Sequence, residues 1–243
     1  MIKLFILGFP HTATTYCYKF VKSKLPNLLG VFEPFNAEVV SWCVSSDRVL
    51  HYSEGAVEHD FSKLPKDVRD LVIKNASWFE EWCRCDEPRQ RFLGNNYMTV
   101  LSKLDQLPRD VLIKDVCAWV ELPYIVHTFT RAKFILLLKD YESVEADFLK
   151  LYDIYKARGE IDKLRMRWLM GIGLFYRFFT GKKLGDRVGT KEDVRELLTV
   201  TYSFYRVLVK CCRYLSNVAI IEFEKRLTDD KIIQALRHLG LLR

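Results

Sequence analysis

Residues 5–16 read Phe5-Ile6-Leu7-Gly8-Phe9-Pro10-His11-Thr12-Ala13-Thr14-Thr15-Tyr16, and the fold turns on how they are read. An apolar run carrying Ile2, Leu4, Ile6 and Leu7 stops at Gly8-Phe9-Pro10, and small hydroxyl residues then open a helical pattern. The layout is a strand, a tight loop and a helix N-terminus, which offers backbone N–H groups and a positive dipole end to an anion. The ordinary nucleotide loop G-x-x-x-x-G-K-[ST] is excluded. Aligned on Gly8, the chain has Ala13 at the second glycine and Thr14 at the lysine, so the phosphate-bridging cation is missing.

Working outward, five short apolar segments bounded by turn or polar residues read as buried strands: Lys3–Leu7, Leu29–Phe32, Val111–Lys114, Lys133–Leu138 and Val218–Glu222. Helical patterns lie between them, over Thr12–Lys24, Asp67–Cys83 and Lys191–Leu215. The last opens on Thr190 and Asp193, a capping pair, and its apolar positions recur at three-four spacing. Strands alternating with helices predict an α/β fold in one domain spanning 1–243. It has three layers: an about five-stranded, mainly parallel sheet with helices on both faces, in the topology of nucleotide-binding loop proteins. Ligands of such folds sit at the carboxyl ends of the strands. That rule selects Gly8–Thr15, Glu33, Lys114-Asp115 and Lys139-Asp140.

Bulk composition narrows the class without naming a ligand. A chain that is 49% hydrophobic and 28% charged is globular rather than disordered. Residues 131–243 carry 23 Lys/Arg against 15 Asp/Glu, while residues 1–130 are nearly balanced. A basic half suits an anionic ligand, a membrane surface, nucleic acid or simply a solvated face; no nucleic-acid recognition motif accompanies it. The seven cysteines form no regular framework, and neither Cys83-x-Cys85 nor Cys211-Cys212 has a histidine pair nearby. Reduced thiols in a cytoplasmic protein, with no metal, are the expectation. No secretory signal is legible at the N-terminus. The run from Trp168 to Thr180 contains Arg177 and is too short to span a bilayer, so a buried helix is expected there.

Five segments in order resemble the sulfotransferase family, and together they cover nearly the whole chain. Gly8-Phe9-Pro10-His11-Thr12-Ala13-Thr14-Thr15-Tyr16 is similar to the loop G-x-P-[KR]-S-G-T-T-[WYFL]; Gly30-Val31-Phe32-Glu33-Pro34-Phe35 resembles the second-strand segment. Leu112-Ile113-Lys114-Asp115 and Ala132-Lys133-Phe134-Ile135-Leu136-Leu137-Leu138-Lys139-Asp140 resemble the two strands that follow. The stretch from Ala219 to Leu227, followed by Leu239-Gly240-Leu241, is similar to the family's last-strand segment v-x-y-E-d-L … fLGL. The resemblance implies sulfuryl transfer from 3′-phosphoadenosine 5′-phosphosulfate to a hydroxyl or amine of a small-molecule, glycan or peptide acceptor, with no metal.

Under that resemblance Pro10, His11, Thr12, Ala13, Thr14 and Thr15 hold the 5′-phosphosulfate, and Lys139 meets the 3′-phosphate in the family's arginine position. Glu33 is the candidate base, with a surface carboxylate or an ion pair as its other reading. Lys114 either reaches the sulfuryl oxygens or pairs with an acid such as Glu33. The acceptor would be chosen by residues 75–108 and the helix at 168–180, where Trp78, Trp82, Tyr97 and Met98 line a pocket or fill the core.

Three positions depart from the family. His11 replaces a loop lysine or arginine, and at an unperturbed pKa of ~6.5 it is about a quarter charged at neutral pH. Ala13 replaces a glycine, which matters if the backbone there needs positive φ. Asp147 stands where a serine bonds the 3′-phosphate. A like charge ~4 Å away at an effective dielectric near 20 costs on the order of 4 kcal/mol. Either Asp147 turns away, Ser143 takes its place, or the donor is a different one. A catalytically degenerate relative, binding another phosphorylated ligand or a protein partner, is the alternative reading.

Overall fold

The computed structural model describes residues 1–51, 55–76, 95–116, 118–161 and 189–243. Its elements in order are β1 (Ile2–Gly8), α1 (Thr14–Lys24), β2 (Leu29–Phe32), α2 (Ala37–Ser45), β3 (Arg48–His51), β4 (Gly55–Glu58), α3 (Lys66–Ala76) and α4 (Asn95–Asp105). There follow β5 (Val111–Asp115), α5 (Leu122–Thr128), β6 (Lys133–Lys139), α6 (Tyr141–Ala157), α7 (Lys191–Cys211), β7 (Val218–Phe223) and α8 (Asp229–His238).

Five strands form one sheet in the order β2-β5-β1-β6-β7, every pair parallel. β1 lies at the centre. Ile2, Leu4, Phe5, Ile6 and Leu7 are wholly buried, the continuous apolar run that a parallel strand covered on both faces demands. The Phe5 ring stacks on Phe134 of β6 at 4.9 Å and tilts against Phe129. All five sequence-predicted strands are present, with no end displaced by more than one residue.

Right-handed crossovers distribute the helices over two faces. α1 and α8 share one, joined where the Tyr16 hydroxyl donates to Asp229 at 2.5 Å. The chain leaves β5 and β6 in the opposite direction, which sends α5, α6 and α7 to the other face, where α7 packs on both α6 and β6. α7 begins at the predicted capping box: Thr190 Oγ1 accepts from the Asp193 amide at 3.1 Å, and the Asp193 carboxylate accepts from the Thr190 amide at 2.8 Å. The two-stranded hairpin β3–β4 has no counterpart among the predicted elements.

The hairpin's far end meets the start of β2 through Asp60. Its Oδ2 accepts from the Gly30 amide at 2.7 Å and from Lys22, and its Oδ1 accepts from Lys63 at 2.5 Å. Burial raises the Asp60 carboxyl, but the Lys22, Lys63 and Gly30 hydrogen bonds outweigh it and hold the group at about 2.

Candidate functional site at the carboxyl edge of the sheet

Strand β1 ends on Gly8 because nothing larger fits. A Cβ there would stand 2.3 Å from Thr12 Oγ1 and 2.6 Å from Thr14 Cγ2, so the loop folds its helix start back onto the strand end. Thr12 is expected among the phosphate ligands, but its side chain is fully buried and its hydroxyl donates to the Phe9 carbonyl at 2.6 Å. That hydroxyl braces the loop. The helix starts at Thr14 rather than Thr12 because His11 (φ 67°) and Ala13 (φ 56°) are both left-handed. Such a conformation costs a residue with a Cβ roughly 1–2 kcal/mol. Ala13 is the N-cap and supplies no side-chain cap to α1. Thr14 and Thr15 are buried in its first turn, and Pro10 is half-buried.

Phe9 anchors the loop in an aromatic nest. Its ring lies 5.1–6.1 Å from those of Trp119, Phe148, Tyr202 and Tyr205. Tyr205 donates to the Leu137 carbonyl at 2.6 Å and Tyr202 to that of Lys139, so α7 is pinned to β6 beside the loop. The His11 ring meets Phe148 edge-on at 4.8 Å, which ties the loop to α6.

The β2–β5 end of the edge carries a buried ion pair. Lys114 donates to Glu33 Oε1, Asn36 Nδ2 donates to Oε2 at 2.8 Å, and the ammonium rides 4.4 Å over the Phe32 ring. Glu33 is 5% and Lys114 1% exposed. Of the two placements open to Lys114 in the sequence, this is the pairing. Glu33 itself has φ 45°, although the residue before a proline is normally driven to extended backbone. Its amide donates to the Lys114 carbonyl at 2.7 Å and its carbonyl accepts from the Asn36 amide at 3.1 Å, which hold the strained turn. Asn36 was not picked out in the sequence. Its signal is the N-cap position of α2, three residues beyond Glu33.

The β6 end carries a second pair. Lys139 Nζ lies 2.6 Å from Asp147 Oδ2. Asp147 therefore turns onto the lysine, and Ser143 is engaged elsewhere: its amide donates to the Asp140 N-cap of α6 at 2.8 Å. Burial raises the Asp140 carboxyl, but the Ser143 hydrogen bonds and the Lys139 charge prevail and lower it. From the strand order, the Glu33 and Lys139 positions stand three strand spacings apart, roughly 14 Å.

A third carboxyl was missed entirely. Glu121 closes the short helical turn Ala118–Glu121 after β5, beside Trp119, and is 8% exposed. Burial, with no cation against it among the described residues, pushes it up to about 7. Only tertiary packing reveals it.

All three described residues with positive φ and a side chain (His11, Ala13 and Glu33) lie on this one edge. The fold has a counterpart among solved structures. The chain is similar to sulfotransferase STF1 from Mycobacterium tuberculosis H37Rv over 99% of its own length and 68% of that protein's, at a TM-score of 0.50 and 11% identity. The fold is that of a sulfotransferase. No protein-family model matches the sequence, and no curated protein does.

Within the sulfotransferase fold, the edge assembles most of the predicted residues: His11, Ala13, Thr14 and Thr15 in the loop, Glu33 with Lys114 on one side, Lys139 with Asp147 on the other. The predicted Cys83/Cys85 pair, Trp78, Trp82 and the helix at 168–180 lie outside the described residues. Met98 is partly buried against the core. Cys17, Cys43, Cys211 and Cys212 are free thiols. Among the described residues no helix is long and apolar enough to cross a membrane, and no three metal-ligating side chains gather. A groove of about 370 Å³ lies at the C-terminal end of α2, lined by Val44, Phe61, Lys66, Arg69 and Ile73 among others.

Proposed function

We propose that the protein is a sulfuryl-transfer enzyme that binds a nucleotide at the loop after β1 and passes the group to a hydroxyl or amine acceptor. The observation that carries this reading is Glu33: a carboxylate at the ligand edge, buried, fixed at both oxygens by Lys114 and Asn36, on a backbone conformation that costs energy to keep. Strain of this kind, on the order of 1–3 kcal/mol, persists where surrounding structure over-determines it, and such residues cluster at functional sites.

The amides at the start of α1 and the positive end of its dipole receive the 5′-phosphate. Thr14 and Thr15 frame that position and His11 stands at its mouth. Glu33 takes the proton from the acceptor as the acceptor's oxygen or nitrogen is committed to the new bond, and Lys114 steadies the charge on Glu33 before the proton arrives. A nucleotide phosphosulfate, when bound, would supply the sulfuryl group: its sulfur–oxygen bond to the 5′-phosphate breaks as the acceptor–sulfur bond forms, and the nucleotide 5′-phosphate leaves. The 5′ half of 3′-phosphoadenosine 5′-phosphosulfate fits the residues present. Its 3′-phosphate does not, because Asp147 already holds Lys139. The free cysteines suit a reducing, cytoplasmic setting.

The same Lys139–Asp147 pair favours a second reading, in which the fold binds a phosphorylated ligand without turnover. Glu33→Gln separates the two. Proton transfer by one positioned group is worth about 10²–10⁴-fold, so the variant loses that much turnover with nucleotide affinity within a few-fold of wild type. Undiminished turnover removes Glu33 as the base, and absence of transfer by the wild type toward hydroxyl and amine acceptors favours the second reading.

A further inference from the structure

Resting on the reading of the loop as a nucleotide site, we propose that Asp147 shapes that site for a nucleoside 5′-phosphate or phosphosulfate whose ribose 3′-hydroxyl is free, and excludes 3′-phosphorylated nucleotides.

The ion pair decides the chemistry of this corner. The Lys139 side chain is only 9% exposed, and its ammonium is held by Asp147 Oδ2 at 2.6 Å. The Asp147 side chain is 42% exposed, and its Oδ1 accepts no hydrogen bond among the described residues. Asp140, the next residue after Lys139, draws on the same positive charge, and its Oδ2 is buried without a hydrogen-bond partner. One ammonium thus serves two carboxylates. A phosphate dianion that approaches the lysine meets repulsion from the Asp147 carboxylate. A hydroxyl is matched: it donates to Asp147 while its lone pairs face the lysine.

Neighbouring residues keep the corner in that state. Ser143, the nearest replacement for the missing serine, gives its hydrogen bonds to Asp140 at the start of α6. Phe148, adjacent to Asp147, packs edge-on against His11 of the loop, so α6 is fixed to the site that receives the 5′-phosphate. A carboxylate that accepts from a ribose hydroxyl is a recurrent device in other nucleotide-binding α/β folds.

Calorimetric titration with adenosine 5′-phosphate and with 3′-phosphoadenosine 5′-phosphate tests the assignment on the full chain. Like charges ~4 Å apart at an effective dielectric near 20 discriminate by up to about a thousandfold, and the exposure of Asp147 reduces this to on the order of a hundredfold in favour of adenosine 5′-phosphate. Asp147→Ser is expected to reverse the order. Asp147→Asn keeps the side-chain shape and is expected to abolish most of the preference. Tighter binding of the bisphosphate by the wild type, or a preference unmoved by both substitutions, overturns the role of Asp147. If neither nucleotide binds to wild type or variant, the nucleotide-site reading itself fails and the inference with it.

Discussion

Lys114 with Glu33 and Lys139 with Asp147 are the same pairing, a lysine at a strand's carboxyl end against a carboxylate, placed on opposite sides of one loop. Their surroundings differ. The first pair is buried on every side, and its second carboxylate oxygen is fixed by Asn36. The second leaves its carboxylate 42% exposed. Contact distance therefore says little about what a pair does. Burial makes the first a rigid element whose parts depend on each other, and exposure leaves the second with a carboxylate that faces solvent and can meet a ligand.

Breaking the buried pair gives the largest effect. Lys114→Met leaves the buried Glu33 without its cation, and is expected to cost about 3–5 kcal/mol in denaturant unfolding. The double variant Lys114→Met with Glu33→Gln removes both charges and recovers most of that loss. Equal destabilisation in single and double variants would place the cost in packing and dissolve the contrast between the two pairs.

Glu121 sharpens the comparison from the other direction, as a buried carboxyl with no lysine beside it among the described residues. Its folded value of about 7 lies above the unfolded value, so folding favours the protonated form. Its contribution to stability is unpenalised below pH ~4.3 and is lost progressively as pH rises toward 7. Glu121→Gln removes that loss. It should stabilise the protein by on the order of 1–3 kcal/mol at pH 8, after allowance for residual solvent screening, and by little at pH 4. A variant whose advantage is the same at both values would mean that Glu121 is ionised throughout.

The smallest effect is expected in the loop between the pairs. Ala13→Gly relieves the left-handed strain of about 1–2 kcal/mol at the cost of about 0.5–1 kcal/mol in backbone entropy. The net gain of about 0.5–1 kcal/mol appears as a rise in Tm of about 1–4 °C. A fall in Tm would show that the methyl group packs rather than strains.

The sheet was legible because each strand is an apolar run cut off by turn residues, and a parallel strand covered on both faces leaves that trace. α1 starts two residues later than the helical pattern from Thr12 predicts. Thr12 opens the helical pattern in the sequence, whereas the conformation at Ala13, where no glycine advertises it, decides where the helix begins. The hairpin β3–β4 left no readable trace, because its four-residue strands carry little alternation. At the site, Glu33 and Lys114 were legible as residues closing strands. Asp147 was legible as a charge in the wrong place for a phosphate, but not as the partner of Lys139 eight residues away across a strand end. Glu121 could not be found from sequence, because its shift comes from burial alone.

The loop's role as the anion site is most directly tested by amide chemical shifts on the ¹⁵N-labelled full chain titrated with adenosine 5′-phosphate. Shifts that saturate together at Gly8–Thr15, Glu33 and Lys139 are expected. Shifts confined to the groove at the end of α2, with the Gly8–Thr15 amides unmoved at saturation, would contradict it.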